Sequence, residues 1–337
     1  MKSIIKRLVP ESAKKTFYKI RFALKLAKNY YYDFKRYLKF SSTYDPYQSK
    51  IRHQGRILAT YHVIEKGLSL KSPRVGFGVD VVNYLVRLLT EYQEKYGLDE
   101  AGQVALNTLF SYYNYNLSQG LDNQELYKNI TEIKNKIPKE VNIVTDGGVI
   151  KVTKEQIKEA ANVNFKEFVN ARHSIRNFDT NNDVDVRLIE EAVSIALKTP
   201  SVCNRQTWKL HLFSDDDIKR KVLSHQNGNR GFGDTASKVL VVTTDLNLFI
   251  EPAERNQCWV DGGMFAMSLI YALHSLGVGT CCLNWSATYE RDQAVRVDAG
   301  IGESEAIIMM IAVGNLPDSL NVARSSRRKI EEVLTVN

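Results

Sequence analysis

The most constraining stretch of this chain is an unbroken apolar run near its C-terminal end. Residues 306–313 read Ala-Ile-Ile-Met-Met-Ile-Ala-Val, without one polar side chain. A short apolar run of this kind is typical of a β-strand that is buried on both faces. The sequence therefore predicts a central strand at about 305–313, inside a layered domain.

A second pattern, at 257–276, supports the same architecture. This predicted helix is apolar almost all round, and Gly262 and Gly263 would let another element approach it closely, so we expect it in a core or a large interface. Further helices are expected at about 154–171, 185–198, 215–225 and 288–299, and further strands at about 209–213 and 238–244. The second half of the chain thus predicts an α+β fold, with a layered sheet flanked by helices.

The first half of the chain shows helical periodicity. Residues 1–40 read as one helix that starts near Pro10, and a turn-rich link follows at 41–54. Gly67 is the expected C-cap residue of a helix over residues 57–68. Three more helical patterns cover 79–97, 99–119 and 122–137.

The pair Gly147-Gly148 lies between short β-branched runs and predicts a hairpin or a linker. We therefore place a domain boundary near residue 150. The predicted organisation is a basic amphipathic segment at 1–40, a helical N-terminal domain at 41–150, and a third unit at 151–337.

The positive charge of the chain is concentrated in residues 1–40. That segment carries a net charge of +10 and the whole chain +8, so the remainder is slightly acidic. A basic amphipathic helix can lie on an anionic membrane, or it can pack against a partner while its lysines face water. Nucleic acid is disfavoured as a partner, because no recognition fold accompanies the charge.

The sequence contains no run of 18 apolar residues and no recognisable secretory signal. Its four cysteines, at 203, 258, 281 and 282, lack the spacing of metal ligands. We therefore expect a cytoplasmic protein with free thiols and no metal site. Membrane association through residues 1–40 stays open as an alternative.

One short segment, Arg172-His173-Ser174-Ile175-Arg176, points to chemistry. Arg172, Ser174 and Arg176 are two residues apart, so in an extended backbone their side chains point one way. Guanidinium groups and a hydroxyl together suit a phosphate monoester. The alternative is a solvated strand edge with arginines on its polar face.

Three further segments follow in order. They are the loop 199–208 (Thr-Pro-Ser-Val-Cys-Asn-Arg-Gln-Thr-Trp), the Gly277-Val-Gly279 turn that leads to Leu283, Asn284 and Trp285, and Arg324-Ser-Ser-Arg327-Arg328. Together with the arginine segment, this set resembles the nitroreductase-like FMN flavoprotein family over about residues 155–332. That family has an R-x-S-x-R segment, a P-S-x-x-N-x-Q-P-W loop, a G-x-G turn and a C-terminal S-x-R.

The resemblance implies FMN in a cleft at a homodimer interface. It places Arg172, Ser174 and Arg176 at the phosphate, ribityl chain or pyrimidine edge, with His173 contributing through its backbone. The other positions carried over are Ser201 and Asn204 in the loop near the flavin, Leu283 and Asn284 in the turn that faces flavin N5, and Arg327 at the phosphate.

Three positions depart from the family pattern. Thr207 stands where proline usually precedes the tryptophan, and Ser325 stands where some members have lysine. The pair Asn284-Trp285 replaces smaller or acidic residues, so a broad nitroaromatic substrate range is not expected.

The predicted function is an FMN-dependent oxidoreductase with a ping-pong mechanism, in which NAD(P)H reduces the flavin and the flavin reduces a small-molecule acceptor. The alternative is a non-catalytic dimeric scaffold whose basic N-terminus docks to a membrane or an acidic partner. His62, Glu65 and Lys66 form a polar cluster that could contact substrate or could be a salt-bridged helix end.

Overall fold

The computed structural model of this chain describes residues 10–43, 45, 47–138 and 142–337. It confirms the α+β prediction, since N-terminal helices precede a four-stranded antiparallel sheet with helices on both faces. Residues 1–9 of the predicted first helix lie outside the described part of the chain.

Within residues 10–43, 45 and 47–138, the N-terminal half contains five helices. They are α1 (Glu11–Phe40), α2 (Lys50–Leu68), α3 (Val79–Tyr96), α4 (Glu100–Ser118) and α5 (Gln124–Asn135). The last four pack around a common core that includes Ile57, Leu85, Leu109 and Ile130, all fully buried. The predicted helical periodicity is confirmed here.

Two predictions about helix α2 are wrong. It starts at Lys50, inside the predicted link, because the side chain of Ser49 caps its first turn. It also runs through Gly67 instead of ending there. The Phe77 ring lies where a Cβ at Gly67 would be, 2.1 Å from the nearest ring carbon, so the glycine serves close packing.

The second half contains six helices and four strands. They are α6 (Lys154–Ala160), α7 (Phe165–Ala171), α8 (Val186–Ala196), β1 (Trp208–Phe213), α9 (Asp216–Ser224), β2 (Lys238–Asp245), α10 (Gln257–Ser275), β3 (Gly279–Asn284), α11 (Tyr289–Ala299) and β4 (Glu305–Gly314).

Three predictions about this region need correction. The single helix expected at 154–171 is two short helices, and the Asn164 side chain caps the second one. Leu283 and Asn284 lie in strand β3 instead of a turn. Of the two alternatives for Gly147 and Gly148, the structure excludes the hairpin and has an irregular link; both glycines have positive φ and pack closely on α4, where a Cβ would meet Val104 and Ser111.

The sheet has the strand order β1-β2-β4-β3, and all its neighbouring strands are antiparallel. Strand β4 is therefore internal, as predicted. Ile311 and Val313 face helices α8 and α10, whereas Met310 and Ala312 face helices α9 and α11. Alternate side chains thus enter two cores, which explains the continuous apolar run.

Helix α10 lies in the core on one side only, and for its other side the predicted large interface stays a prediction. One side packs on the sheet through Phe265 and Leu269. The other side exposes a group of large apolar side chains, namely Trp259, Val260, Met264 and Met267. Among the helices that the structure describes, none is long and apolar enough to cross a membrane.

Candidate functional site

A cleft of about 530 Å³ lies between helix α10, residues 169–174 beside strand β3, and the C-terminal segment. Arg172, His173 and Ser174 line one wall, and Arg324 and Arg327 line another. Met267, Ile270 and Tyr271 of α10 give the cleft an apolar side. Every charged side chain that lines it is an arginine, so the cleft suits an anion attached to an apolar body.

The position of Ser174 follows from the sheet. Strand β3 is an edge strand, and Ser174 forms a parallel bridge with Thr280 on its free side. The amide of Ile175 donates a 2.8 Å hydrogen bond to the Thr280 carbonyl. The segment is therefore extended, as predicted, and it carries Arg172 to the cleft. Arg176 does not line the cleft but lies near Cys281. Burial raises the pKa of the Cys281 thiol, and the positive charge of Arg176 offsets part of that rise.

The C-terminal wall of the cleft is a segment without regular structure. Ser325 has a φ of 47° although it is not glycine, and the Arg327 guanidinium donates a hydrogen bond to its carbonyl. The side chains of residues 322–328 are exposed. This wall is formed by residues that pack little against the rest of the molecule.

The loop 199–207 is the second candidate segment, and its backbone is strained. Cys203, Asn204 and Gln206 have φ values of 49°, 50° and 49°. In the described part of the chain, Ser325 is the one other non-glycine residue with positive φ. Such conformations cost about 1–3 kcal/mol each and cluster at functional sites. Both strained segments are ones that the sequence had singled out.

A buried ion pair holds the loop in place. The Arg205 side chain has no exposed surface and forms two hydrogen bonds to Glu254, of 3.0 and 2.5 Å. It also donates to the carbonyls of Val202 and Leu248. Burial by itself would raise the pKa of the Glu254 carboxyl, but the Arg205 hydrogen bonds lower it overall.

Two more contacts complete the loop. The Val202 amide donates to the Asp261 carboxylate of α10 at 3.2 Å, and the Gln206 amide donates to the Ser201 hydroxyl at 2.9 Å. Burial raises the pKa of Asp261. Ser201, one of the predicted site residues, therefore closes the loop on itself.

Eight of the nine predicted site residues fall into three places within one protomer, and the ninth, Arg176, lies apart from them near Cys281. Arg172, His173, Ser174 and Arg327 share the arginine cleft. Ser201 and Asn204 lie in the strained loop outside this cleft. Leu283 is buried, and Asn284 lines a separate cleft of about 390 Å³ together with Trp285 and Gln226, whose side-chain amide donates to the Asn284 carbonyl at 3.0 Å.

Sequence reasoning did not find Arg205, Asp261 or Tyr61. Arg205 stands within the recognised loop, but its partner Glu254 is 49 residues away, so no local pattern signals the pair. Tyr61 adjoins the polar cluster that the sequence did single out. In that cluster His62 Nδ1 and Glu65 Oε2 are 3.1 Å apart.

Comparison with protein families gives one match. The model of the Nitroreductase family matches residues 169–228 and 222–315. This range contains the arginine segment, the strained loop, the whole sheet and helices α8 to α11. Helices α1 to α6 lie outside it.

Individual relatives match part of this chain. The oxygen-insensitive NADPH nitroreductase of Helicobacter pylori is 31% identical over 77 residues, which are 23% of this chain and 37% of that protein. This chain thus spans little more than a third of the length of that curated relative.

Solved structures also resemble this half. The FMN-dependent nitroreductase of Clostridium difficile has a TM-score of 0.43 at 20% identity, covering 50% of this chain and 98% of its own. A nitroreductase family protein of Streptococcus pneumoniae has a TM-score of 0.44 at 21% identity, covering 51% of this chain and 100% of its own.

Proposed function

Since the C-terminal half of this chain is nitroreductase-like, we propose that the protein is an FMN-dependent oxidoreductase that uses NAD(P)H. The observation that carries the proposal is the arginine cleft. In this cleft the segment at Arg172 meets the segment at Arg327, which lies about 150 residues further along the chain.

The residues of the cleft fit FMN. The guanidinium groups of Arg172 and Arg327 can hold the phosphate dianion, and the Ser174 hydroxyl can donate a further hydrogen bond. Met267, Ile270 and Tyr271 offer an apolar wall against which a planar ring can lie. No carboxylate among the described residues lines this cleft to repel the phosphate.

Bound FMN would supply the redox chemistry, accepting a hydride from the nicotinamide and reducing a second substrate in a separate half-reaction. The chain itself binds and orients. Its arginines neutralise the phosphate, and the strained loop presents its backbone in a conformation fixed by the Arg205–Glu254 pair. The acceptor is a small molecule.

We further propose that the site is completed in a homodimer. The exposed apolar side of α10 includes Trp259 and Val260, which are 44% and 51% exposed. A large apolar surface of this kind is typical of a contact with another protein. A second copy packed there would bring its own loop, with Ser201 and Asn204, toward the arginine cleft from which they are separated within one protomer.

A specific observation also favours contact between helix α1 and an anionic membrane. Asn29, Tyr32 and Arg36 contact the body of the protein, through Tyr289, Asp292 and Glu303 respectively. At helical spacing, the opposite side carries an exposed stripe, comprising Ile20, Leu24, Tyr31, Phe34 and Leu38. Exposed lysines and Arg21 flank that stripe, and each contributes about 1 kcal/mol near an anionic surface.

Vesicle sedimentation tests the membrane contact. We expect the protein to sediment with vesicles containing anionic lipid and not with neutral ones, and Leu24→Asp to abolish sedimentation. If Leu24→Asp instead lowers the oligomeric state in solution and leaves vesicle binding unchanged, the stripe contacts another protein chain.

The alternative to an enzyme is the dimeric scaffold, and an absorbance spectrum of the freshly purified protein separates the two. We expect oxidised-flavin bands that bleach when NADH or NADPH is added without oxygen. Bands that persist would remove the nicotinamide donor. Absence of bands, even after FMN is added and excess is removed, would reject the oxidoreductase and favour the scaffold.

A further inference from the structure

Helix α2, which the nitroreductase model does not cover, is docked firmly on the nitroreductase-like half. It packs against the short turns 202–204 and 246–248. A Cβ at Gly55 would stand 3.3 Å from the Leu248 Cα, so the two backbones are in close contact. Arg52 donates to the Asn247 side chain at 3.3 Å, and Arg56 donates to the Ile250 carbonyl at 3.3 Å.

The same turn is shared with the strained loop. The Leu248 carbonyl that lies beneath α2 accepts a 3.0 Å hydrogen bond from Arg205. Helix α2, the turn and the loop therefore form one packed unit, and the position of α2 is fixed relative to residues 202–204.

Tyr61 is the residue through which α2 meets the loop side chains. It is only 4% exposed, it lies on the helix that packs against residues 202–204, and its phenol interacts with the Asn204 side chain. Burial, together with the nearby Glu65 carboxylate, raises the pKa of Tyr61 to about 12, so the phenol is neutral at physiological pH. A neutral phenol is a lasting partner for the Asn204 amide.

Asn204 needs such a partner. It has positive φ and follows another such residue, Cys203, and that geometry persists only when surrounding contacts impose it. The Arg205 and Asp261 contacts hold the backbone on the side of the body. Neither of them involves the Asn204 side chain, whose Oδ1 accepts a 3.5 Å hydrogen bond from the Gln206 side-chain amide within the loop and which also meets Tyr61 of α2.

We propose that Tyr61 is a positioning residue for the flavin site, through which the helical N-terminal region sets the side chain and backbone of Asn204. The effect on flavin rests on the proposed function, whereas the effect on the loop does not. The helical region is then part of the site's architecture.

The test has one arm that needs no flavin. Cys203 is partly exposed and adjoins Asn204, whereas Cys258 and Cys281 are buried. In a Cys282→Ser background, the rate at which Cys203 reacts with Ellman's reagent therefore reports the loop. We expect Tyr61→Phe to speed this reaction about three- to tenfold, the equivalent of one lost hydrogen bond.

Tyr113→Phe is the matched control. Tyr113 is 6% exposed in the same helical region and donates to Asp122 at 2.9 Å, far from the loop. We expect it to leave the Cys203 rate unchanged. Both variants keep their rings, and equal melting temperatures would show that a difference in Cys203 rate reflects the loop and not global unfolding.

The second arm measures the dissociation constant of FMN by fluorescence quenching. We expect Tyr61→Phe to weaken FMN about three- to tenfold, and no further weakening when it is added to Asn204→Ala. Unchanged Cys203 reactivity in Tyr61→Phe would overturn the positioning role, and additive losses of FMN affinity would overturn its route through Asn204. If the loop responds but the unaltered protein binds no FMN, the positioning role stands and the proposed flavin function fails.

Discussion

The two strained segments of the molecule are held in opposite ways. The loop 199–207 rests on the buried Arg205–Glu254 pair, on Asp261 and on Tyr61. The segment around Ser325 has exposed side chains, and its nearest ion pair, Arg328 with Glu332, is exposed as well. The protein itself fixes the first segment, and the second depends on what binds to it.

This difference divides the work of binding. A loop that the fold has already ordered can bind a ligand without a further loss of conformational entropy. When a segment becomes ordered only on binding, the entropy that it loses offsets part of the favourable interaction energy, so its affinity is lower. We therefore expect substitutions in the loop to act on stability and those in the arginine segment to act on affinity.

The largest effect is expected from Arg205→Leu. It leaves the mostly buried Glu254 carboxylate without its partner, which costs about 3–5 kcal/mol of unfolding free energy. Urea denaturation measures the loss. Arg328→Leu is the matched control, because it removes an exposed pair and should cost less than about 1 kcal/mol. Equal losses would erase the difference between the two segments.

Arg172→Ala and Arg327→Ala should lower the affinity for FMN and leave the stability of the protein unchanged. Each removes a charge-assisted contact to the phosphate, so we expect the dissociation constant of FMN to rise about ten- to hundredfold with no change in melting temperature. Arg230→Ala, an exposed arginine outside both clefts, should change neither quantity. Full FMN binding by Arg172→Ala would show that this assignment of the cleft is wrong.

Acid should weaken the contacts that hold the strained loop, residues 199–207. The pKa of Glu254 is lower in the folded protein than its ordinary value of 4.5, so its contribution to stability is complete above pH 4.5 and is lost as pH falls through the lowered pKa. Asp261, whose pKa is raised, acts in the opposite direction. We therefore expect the melting temperature, measured between pH 6 and pH 3, to depend less on pH in Glu254→Gln than in the unaltered protein. An unchanged pH profile in that variant would contradict the assigned role of the pair.

The smallest effect is expected from Ser325→Gly. Ser325 has its positive φ without FMN, and glycine adopts that φ without steric cost in the free and the bound protein alike, so we expect the dissociation constant of FMN to change less than about twofold, measured by titration. A tenfold loss of affinity would show that the Ser325 side chain itself contacts the ligand.

Local patterns were enough to predict most of the fold. Strand β4 and helices α3 to α5 follow from periodicity, because each buries a regular set of apolar side chains. Helices α6 and α7 contain no buried residue, so no pattern of buried apolar side chains separates them from one longer helix. Strand β3 is a short edge strand behind a glycine turn, and its pairing with β4 depends on residues far along the chain.

The site could be predicted only in part. The resemblance brought out Arg172, Ser174 and Arg327, which the structure then places in one cleft, but their separation from Asn204 is a property of the three-dimensional arrangement. Arg205 and Tyr61 act through partners 49 and 143 residues away. The three-part domain division remains a prediction.

The burial of Arg36 has a consequence for modularity. Its guanidinium donates to the carbonyls of Glu303 and Glu305 at 3.0 and 2.5 Å, and Ser42 donates to the Phe249 carbonyl at 2.8 Å. These bonds join helix α1 and the residue just after it to the sheet and its loops. The nitroreductase-like half therefore shares contacts with the helical half. We expect that a truncation near residue 150 would remove these contacts and would not leave a stable domain.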